Sequence, residues 1–193
     1  KGLLGLFDVD ISRSWTEEEL EEATTRAEVR KQMGDALANV GLPAERRDEV
    51  VSALEIGTVP VEEIMVDRDS IVAVSTDKDL ETNLDRMGNS PHTRFPLVDS
   101  SLDEFLGILY TPAIIDHREE LRAGTLNLAE LAAPPMTVQA DTVVSDVIDA
   151  FQSENQELAL VANGDRIVGL VTATDDFEAI AGDLEDPLDV ADE

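Results

Sequence analysis

Thr172 and Asp175 place a hydroxyl and a carboxylate three residues apart at the end of the run Gly169-Leu-Val-Thr-Ala-Thr-Asp175. The residues before the pair read as a strand and those after it as a helix, so the pair stands at a strand-to-helix turn. A carboxylate there accepts two hydrogen bonds from a vicinal diol, such as the 2′ and 3′ hydroxyls of a ribose. A hydroxyl one turn earlier holds a sugar or phosphate oxygen. The helix that begins at Asp175 turns backbone donors and a partial positive charge outward, which favours an anion. The same residues carry a purely structural alternative. Asp175-Asp-Phe-Glu178 has the spacing of an acidic capping box, with Asp175 as the helix cap.

The run has a counterpart 62 residues earlier, Gly107-Ile-Leu-Tyr110-Thr-Pro-Ala113. Val74-Ser-Thr-Asp77-Lys-Asp-Leu80 likewise matches Val138-Gln-Ala-Asp141-Thr-Val-Val144, and Phe95-Pro-Leu-Val98 matches Leu158-Ala-Leu-Val161. A period this long, present twice, points to a pseudo-symmetric pair rather than a solenoid. In the earlier copy Ala113 replaces the carboxylate and Tyr110 replaces the hydroxyl. One functional site is therefore expected, not two.

Each copy reads as β-α-β-β-α. In the first, residues 71–74 form a short strand and Asp77 caps a helix with Leu80, Leu84 and Met87 on one face. Two strands follow, Phe95–Val98 and Phe105–Tyr110, and Thr111-Pro112 opens a helix. In the second, Thr137-Val138 is extended and Asp141 caps a helix with Val144, Val147, Ile148 and Phe151 on one stripe. Strands 158–161 and 167–171 are joined through Asn163-Gly164, a pair suited to a tight hairpin turn because both residues tolerate positive φ. Upstream, Thr16 and Glu19 form a capping box for a polar helix that runs to about Asn39. Gly41-Leu-Pro43 breaks it, and a second helix runs to about Leu54, with Val50, Val51, Leu54 and Ile56 suggesting a packed face. Neither copy can bury its sheet and helix faces alone, so the two should pack together.

The 193 residues include 43 acidic and 14 basic side chains, a net charge of −29. Only Lys1, Lys31 and Lys78 are lysines. Such a surface repels itself in dilute buffer, and molar salt shortens the Debye length to about 3 Å. With the acid spread over folded-looking segments, the expected reading is a protein from a salt-loving organism, and the alternative is an ordinary acidic protein. No basic stripe exists to neutralise phosphates along a nucleic acid. The absence of cysteine excludes disulfides and thiolate chemistry, and His92 and His117 alone make a His-rich metal site unexpected. No signal peptide is seen and no apolar run approaches the roughly 20 residues of a membrane span, so the fragment reads as soluble. It opens at Lys1 with no Met, as a piece cut from a longer protein would.

This order of elements, with its Gly-apolar-apolar-Thr-x-x-Asp ending, resembles a tandem pair of CBS motifs, a Bateman module, over about residues 58–184. Val61-Glu-Glu-Ile-Met65, His92-Thr-Arg-Phe-Pro96 and Gly169-Leu-Val-Thr-Ala-Thr-Asp-Asp-Phe-Glu178 further resemble the CorC/CNNM (hemolysin-C-like) family, associated with magnesium and cobalt transport. The resemblance implies an α+β fold. Residues 1–57 would be a helical linker from a missing membrane domain, 58–123 CBS motif 1, 124–186 CBS motif 2 and 187–193 an acidic tail. It implies a non-enzymatic regulatory module that binds an adenine nucleotide (ATP, ADP or AMP, with Mg2+). The module would form a homodimer at the cytoplasmic face of the membrane and act on its own transmembrane domain. On the family's pattern, Thr172 and Asp175 would hold ribose, Arg94 the phosphate and Pro96 the base edge, with His92 placed to stack on adenine. Where that pattern has Thr-Pro after the entrance Met, this chain has Val66-Asp67, which removes a phosphate-binding hydroxyl and adds a carboxylate.

Three bland alternatives stand beside these roles: Asp175 as a helix cap, Arg94 as a surface salt-bridge partner and His92 as a loop residue. At the level of function, the alternative is a structural dimerisation module whose site has decayed. No nucleophile–base pair, Gly-rich phosphate loop or metal-ligand constellation is seen. Divalent ions would meet the acidic surface only diffusely, since no Ca-loop spacing appears.

Overall fold

The structure, a computed structural model, describes residues 17–182. Thr16, and with it the first expected capping box, lies outside them, as do the opening residues and the acidic tail. The chain divides into two units, Lys1–Val51 and Ser52–Glu193.

In the first unit, α1 (Glu17–Asn39) is followed by α2 (Ala44–Glu55), which runs across the division. The break falls where Gly41-Leu-Pro43 places it. Gly41 takes a left-handed φ of 81°, and the Pro43 carbonyl accepts a helical bond from Arg47 N–H at 3.0 Å. The apolar face expected on α2 is narrower than its sequence implies. Val51 is buried, whereas Val50 and Leu54 are exposed.

The second unit is α+β and carries both repeats. In the first, β2 (Val74–Ser75), α3 (Leu80–Gly88), β3 (Arg94–Val98), β4 (Phe105–Tyr110) and α4 (Thr111–Asp116) follow in order. Two short helices, α5 (Arg118–Ala123) and α6 (Leu128–Leu131), lead to the second: β5 (Thr137–Gln139), α7 (Val144–Glu154), β6 (Leu158–Asn163), β7 (Arg166–Thr172) and α8 (Ala173–Ala181). In each repeat the first strand is parallel to the next and the last is antiparallel. The expected strand 71–74 shrinks to Val74–Ser75.

The entrance segments exchange partners. β1 (Val66–Asp67), which precedes the first repeat, pairs antiparallel with β7 of the second. Ala133, which precedes the second repeat, bridges to Ile108 of β4 in the first, with bonds of 3.0 and 2.8 Å. The glycine at the matching place in each last strand makes room. A Cβ on Gly169 would lie 2.8 Å from the Val66 carbonyl oxygen and press on Met65, and one on Gly107 would meet Ala132 at 3.0 Å.

Strand alternation then divides the core. Ala159 and Val161 of β6 face α7 with Val147 and Phe151. Leu158, Leu160 and Ala162, on the other face, pack with Ile108, Ile167 and Leu170 between the two sheets. In the first repeat Phe95, Leu97 and Leu109 pack with Met87 of α3 and Ile114 of α4.

Two helix caps differ from expectation. Asp79, not Asp77, caps α3, accepting from Thr82 N–H at 2.9 Å. Ser75 Oγ accepts the Asp77 N–H at 3.1 Å, and the buried Asn83 amide holds both backbone groups of Ser75, which delays the helix by two residues. Nor does Asp141 cap α7. The first donors of that helix, Val144 and Ser145 N–H, are taken by the backbone carbonyls of Val59 and Ile56 at 2.9 and 3.0 Å. In the β6–β7 hairpin the turn residues are Gly164 and Asp165, flanked by the pair Asn163↔Arg166. Gly164 alone takes the positive φ, 63°.

Arg68 ties three segments together. Its guanidinium grips both carboxylate oxygens of Asp103 at 2.8 Å and also donates to the Ile167 carbonyl, while Asp103 accepts the Ile167 N–H at 2.8 Å. Arg68 and the Ile167 amide hold the Asp103 carboxyl down, at about 2. A depressed carboxylate contributes stability above its unfolded value, near 4, and loses it as pH falls through about 2. Thermal unfolding of Asp103→Asn is therefore expected below wild type at pH 6, with the gap closing toward pH 2. Because the pair is solvent-exposed, molar salt narrows the gap. Equal melting temperatures at pH 6 in low salt would show that this tie contributes nothing.

Candidate functional site

The packing of the two sheets brings the N-terminal end of β3 opposite the junction of β7 and α8. A cleft of about 670 Å³ opens between them, and Thr172, Asp175, Arg94, Pro96 and His92 all line it. Residues from both repeats share its wall, together with Val66, Ile71, Val72 and Leu170.

The helix starts two residues earlier than the sequence implies. α8 begins at Ala173 and Thr172 is its cap, so Asp175 is the third helical residue. The two form a reciprocal capping box. Asp175 Oδ2 accepts from Thr172 N–H at 2.6 Å and from Thr172 Oγ1 at 2.7 Å, and Asp175 N–H donates to Thr172 Oγ1 at 3.4 Å. The partner of Asp175 is Thr172, not Glu178. Both bonds fall on Oδ2, so Oδ1 is the oxygen left to accept from a ligand. Asp175 is half-buried, at the edge of the cleft.

Arg94 stands at the start of β3, where Arg94 pairs with Tyr110 across the ladder. Its guanidinium lies 5.0 Å from the Tyr110 ring centroid and 2.5 Å from the Glu157 carboxylate. Tyr110, which stands in the first repeat where Thr172 stands in the second, thus acts as a platform for the arginine of the cleft. His92 sits exposed and packs edge-on against Phe95, with centroids 6.4 Å apart. Pro96 is buried within β3. Glu157 and Glu178 line the cleft as well, so three carboxylates face it beside one guanidinium.

Glu157 was not identified from sequence, although a signal was there. Counting back from the hairpin turn places it opposite Thr172. An irregularity at Val161/Ala162 shifts the register by one, so Leu158 pairs with Thr172 and the Glu157 carbonyl accepts from Ala173 N–H at 3.1 Å. Asp176 was also missed. It is 2% exposed and neither carboxylate oxygen has a hydrogen-bond partner. Burial, and then the neighbouring Asp175 charge, push its carboxyl up to about 7. It borders a second cavity of about 490 Å³ between α7 and α8, walled by Ile148, Phe151, Phe177 and Ile180. Among the described residues, no group of three or more His, Asp or Glu is placed to hold a metal ion. No helix among them is long and apolar enough to cross a membrane.

Comparison with known proteins bears on the family and the fold. The CBS-domain profile matches residues 128–180. The magnesium and cobalt efflux protein CorC of Pasteurella multocida is 30% identical over 169 residues, which are 87% of this chain and 56% of that protein. The chain thus spans about half the length of that relative. A solved structure of the CBS domain of a bacterial CNNM/CorC-family Mg2+ transporter in complex with ATP is 26% identical, covering 72% of this chain and 99% of that one, with a TM-score of 0.67. A CBS-domain pair with bound AMP from Klebsiella pneumoniae is 30% identical, covering 64% of this chain and 99% of that one, with a TM-score of 0.52. The chain belongs to the CBS-domain family and is homologous to the CorC magnesium and cobalt efflux proteins.

Proposed function

We propose that this chain is the adenine-nucleotide-binding regulatory module of a CorC/CNNM-like magnesium or cobalt transport protein. The observation that carries the reading is the single cleft shared by both repeats, with Thr172 and Asp175 on one wall and Arg94 and Pro96 on the other. Asp175 Oδ1 accepts from a ribose hydroxyl, the positive end of α8 favours phosphate through its dipole, and Arg94 meets the anion; the N–H groups of Thr172, Ala173 and Asp175 are already taken within the chain. His92 stands at the rim beside the base. The relatives with bound ATP and AMP support this choice of ligand class. The four-part division made from sequence, with residues 1–57 linking to a membrane domain, motifs at 58–123 and 124–186 and a tail at 187–193, belongs to the same proposal. So do Mg2+ on the phosphates and a position at the cytoplasmic face.

The module works as a homodimer on this reading. Ile115 of α4 and Phe177 of α8 stand at matching places in the two repeats and are 65% and 54% exposed, which supports a helical face that a second copy covers. Nucleotide in the cleft would favour one packing of the dimer, provided that it binds one state more tightly than the other.

Calorimetry with Mg-ATP, ADP and AMP in molar salt tests the proposal. Asp175→Ala is expected to weaken binding about tenfold to a hundredfold, the loss of a charge-assisted hydrogen bond. Heat from no nucleotide would remove the sensing role. It would favour the second reading, a structural dimerisation module, which the Arg94–Glu157 ion pair and the loss of the carboxylate at Ala113 also favour.

A further inference from the structure

We infer that the cavity between α7 and α8 is a second binding site, which takes an aromatic or aliphatic amine with its apolar body between the helices and its ammonium group on Asp176. The inference does not rest on the nucleotide reading. Of the residues around this cavity, only Glu157 and Ala173 also line the cleft. The juxtaposition behind it is an unpartnered carboxyl in an apolar wall.

The local fold builds the cavity. α7 ends at Asn155, whose left-handed φ of 53° turns the chain back, and the N–H groups of Asn155 and Gln156 both return to the Phe151 carbonyl. The next residue, Glu157, gives its carbonyl to the Ala173 N–H at 3.1 Å, which ties the end of α7 to the start of α8. Ile148 and Phe151 of α7 and Phe177 and Ile180 of α8 then wall a space of about 490 Å³, within the usual range for a small-molecule site.

Asp176 lines the same space from α8, where the sister repeat has Ile114. It is 2% exposed, and neither carboxylate oxygen has a hydrogen-bond partner. A carboxyl so placed costs free energy unless a donor meets it, and an ammonium brings three. The other acid of the lining, Glu157, is engaged by Arg94, and α7 contributes no titratable side chain. A chain of net charge −29 draws in cations and repels acids. Both Asp176 oxygens are shielded from water, so an ammonium reaches them by parting the apolar wall, and the 54% exposed Phe177 is the wall residue with room to turn. Burial, and then the Asp175 charge, keep the carboxyl protonated up to about 7. An ammonium that pairs with the carboxylate therefore drives that proton out to the buffer, and its affinity rises with pH.

Titration calorimetry of the whole chain with phenethylamine, phenethyl alcohol and phenylacetate tests this in molar salt at pH 6 and pH 8. One protein concentration is kept throughout, because Phe177 also belongs to the face ascribed to a second copy. At pH 8 the amine is expected to bind at least about tenfold tighter than the alcohol, with the acid weakest, and at pH 6 the amine should weaken about tenfold. At pH 6, titration in two buffers of different ionisation enthalpy should show release of about one proton per amine bound. In Asp176→Asn, the amine should fall to the level of the alcohol, with no proton released. Diffuse attraction to the 43 acidic side chains would survive that substitution, so an unchanged amine isotherm overturns the site. Should the variant not fold, the two-buffer measurement on wild type decides, since amine binding without proton release places the ammonium elsewhere and overturns the role of Asp176. Silence with all three ligands overturns the inference as well, whatever nucleotides do in the cleft.

Discussion

Asp176→Ile is expected to stabilise the protein by about 3–4 kcal/mol at pH 8 and by much less at pH 4. The sister repeat supplies the rationale. Ile114 occupies the matching place on α4, is 2% exposed and packs into the apolar core of its own repeat. Asp176 is just as buried, with both oxygens unpartnered. Burial, and then the Asp175 charge, raise its carboxyl to about 7, against an unfolded value near 4. Through that window the folded protein holds a proton that the unfolded chain has released. Stability therefore falls as pH rises from about 4 to about 7, and the loss is complete above the folded value. Isoleucine removes both the titration and the unpartnered polar atoms. Asp176→Asn serves as the control, because it should flatten the pH dependence while keeping an unsatisfied polar group and gaining little stability at pH 5. Denaturant unfolding of the three proteins between pH 4 and pH 8 measures this. Wild-type and asparagine curves that run parallel over that range would show that Asp176 does not titrate there.

Gly169→Val is expected to cost about 3 kcal/mol or more, and Gly169→Ala about 1–3 kcal/mol. The obstacle is backbone, which cannot step aside as a flexible side chain can. A Cβ at 169 would stand 2.8 Å from the Val66 carbonyl oxygen and press on Met65. β1 would have to leave β7, breaking the pairs Val66↔Leu170 and Asp67↔Gly169. Val66 also lines the cleft, so nucleotide affinity should fall along with stability. Gly88→Ala is the matched control. Nothing lies within 4 Å of a Cβ there, and alanine is the better helix former at the end of α3. Unfolding free energies for Gly169→Ala and Gly88→Ala that agree with wild type would show that the strand exchange tolerates a wider separation.

Much of this was legible in the sequence because repeated periodicity reports burial directly. The three- and four-residue spacing in α3 and the apolar stripe of α7 each name a face. The duplicate copies also fixed the order of elements before any contact was known. The caps were less legible, because a cap is a competition for backbone donors. Asp141 lost the start of α7 to the carbonyls of Ile56 and Val59, residues more than 80 positions away. Asp77 lost α3 because Ser75 and Asn83 had already claimed the turn. At the site, the five residues taken from the motifs all reach one cleft. Glu157 escaped because it lies just before the repeated motif Leu158–Val161 and reaches the cleft only through the pairing of β6 with β7. Asp176 escaped because an acidic residue beside Asp175 reads as ordinary solvent-facing charge until the sister isoleucine is aligned with it.

The exchanged entrance segments bear on how such a molecule could arise and how it comes apart. A solitary repeat would present its glycine-notched edge without the segment that fills it, and could close that edge only by borrowing from another molecule. The tandem chain makes the loan internal. Pulling on either half should therefore strip backbone pairs from the other, so the two halves yield as one mechanical element rather than one after the other.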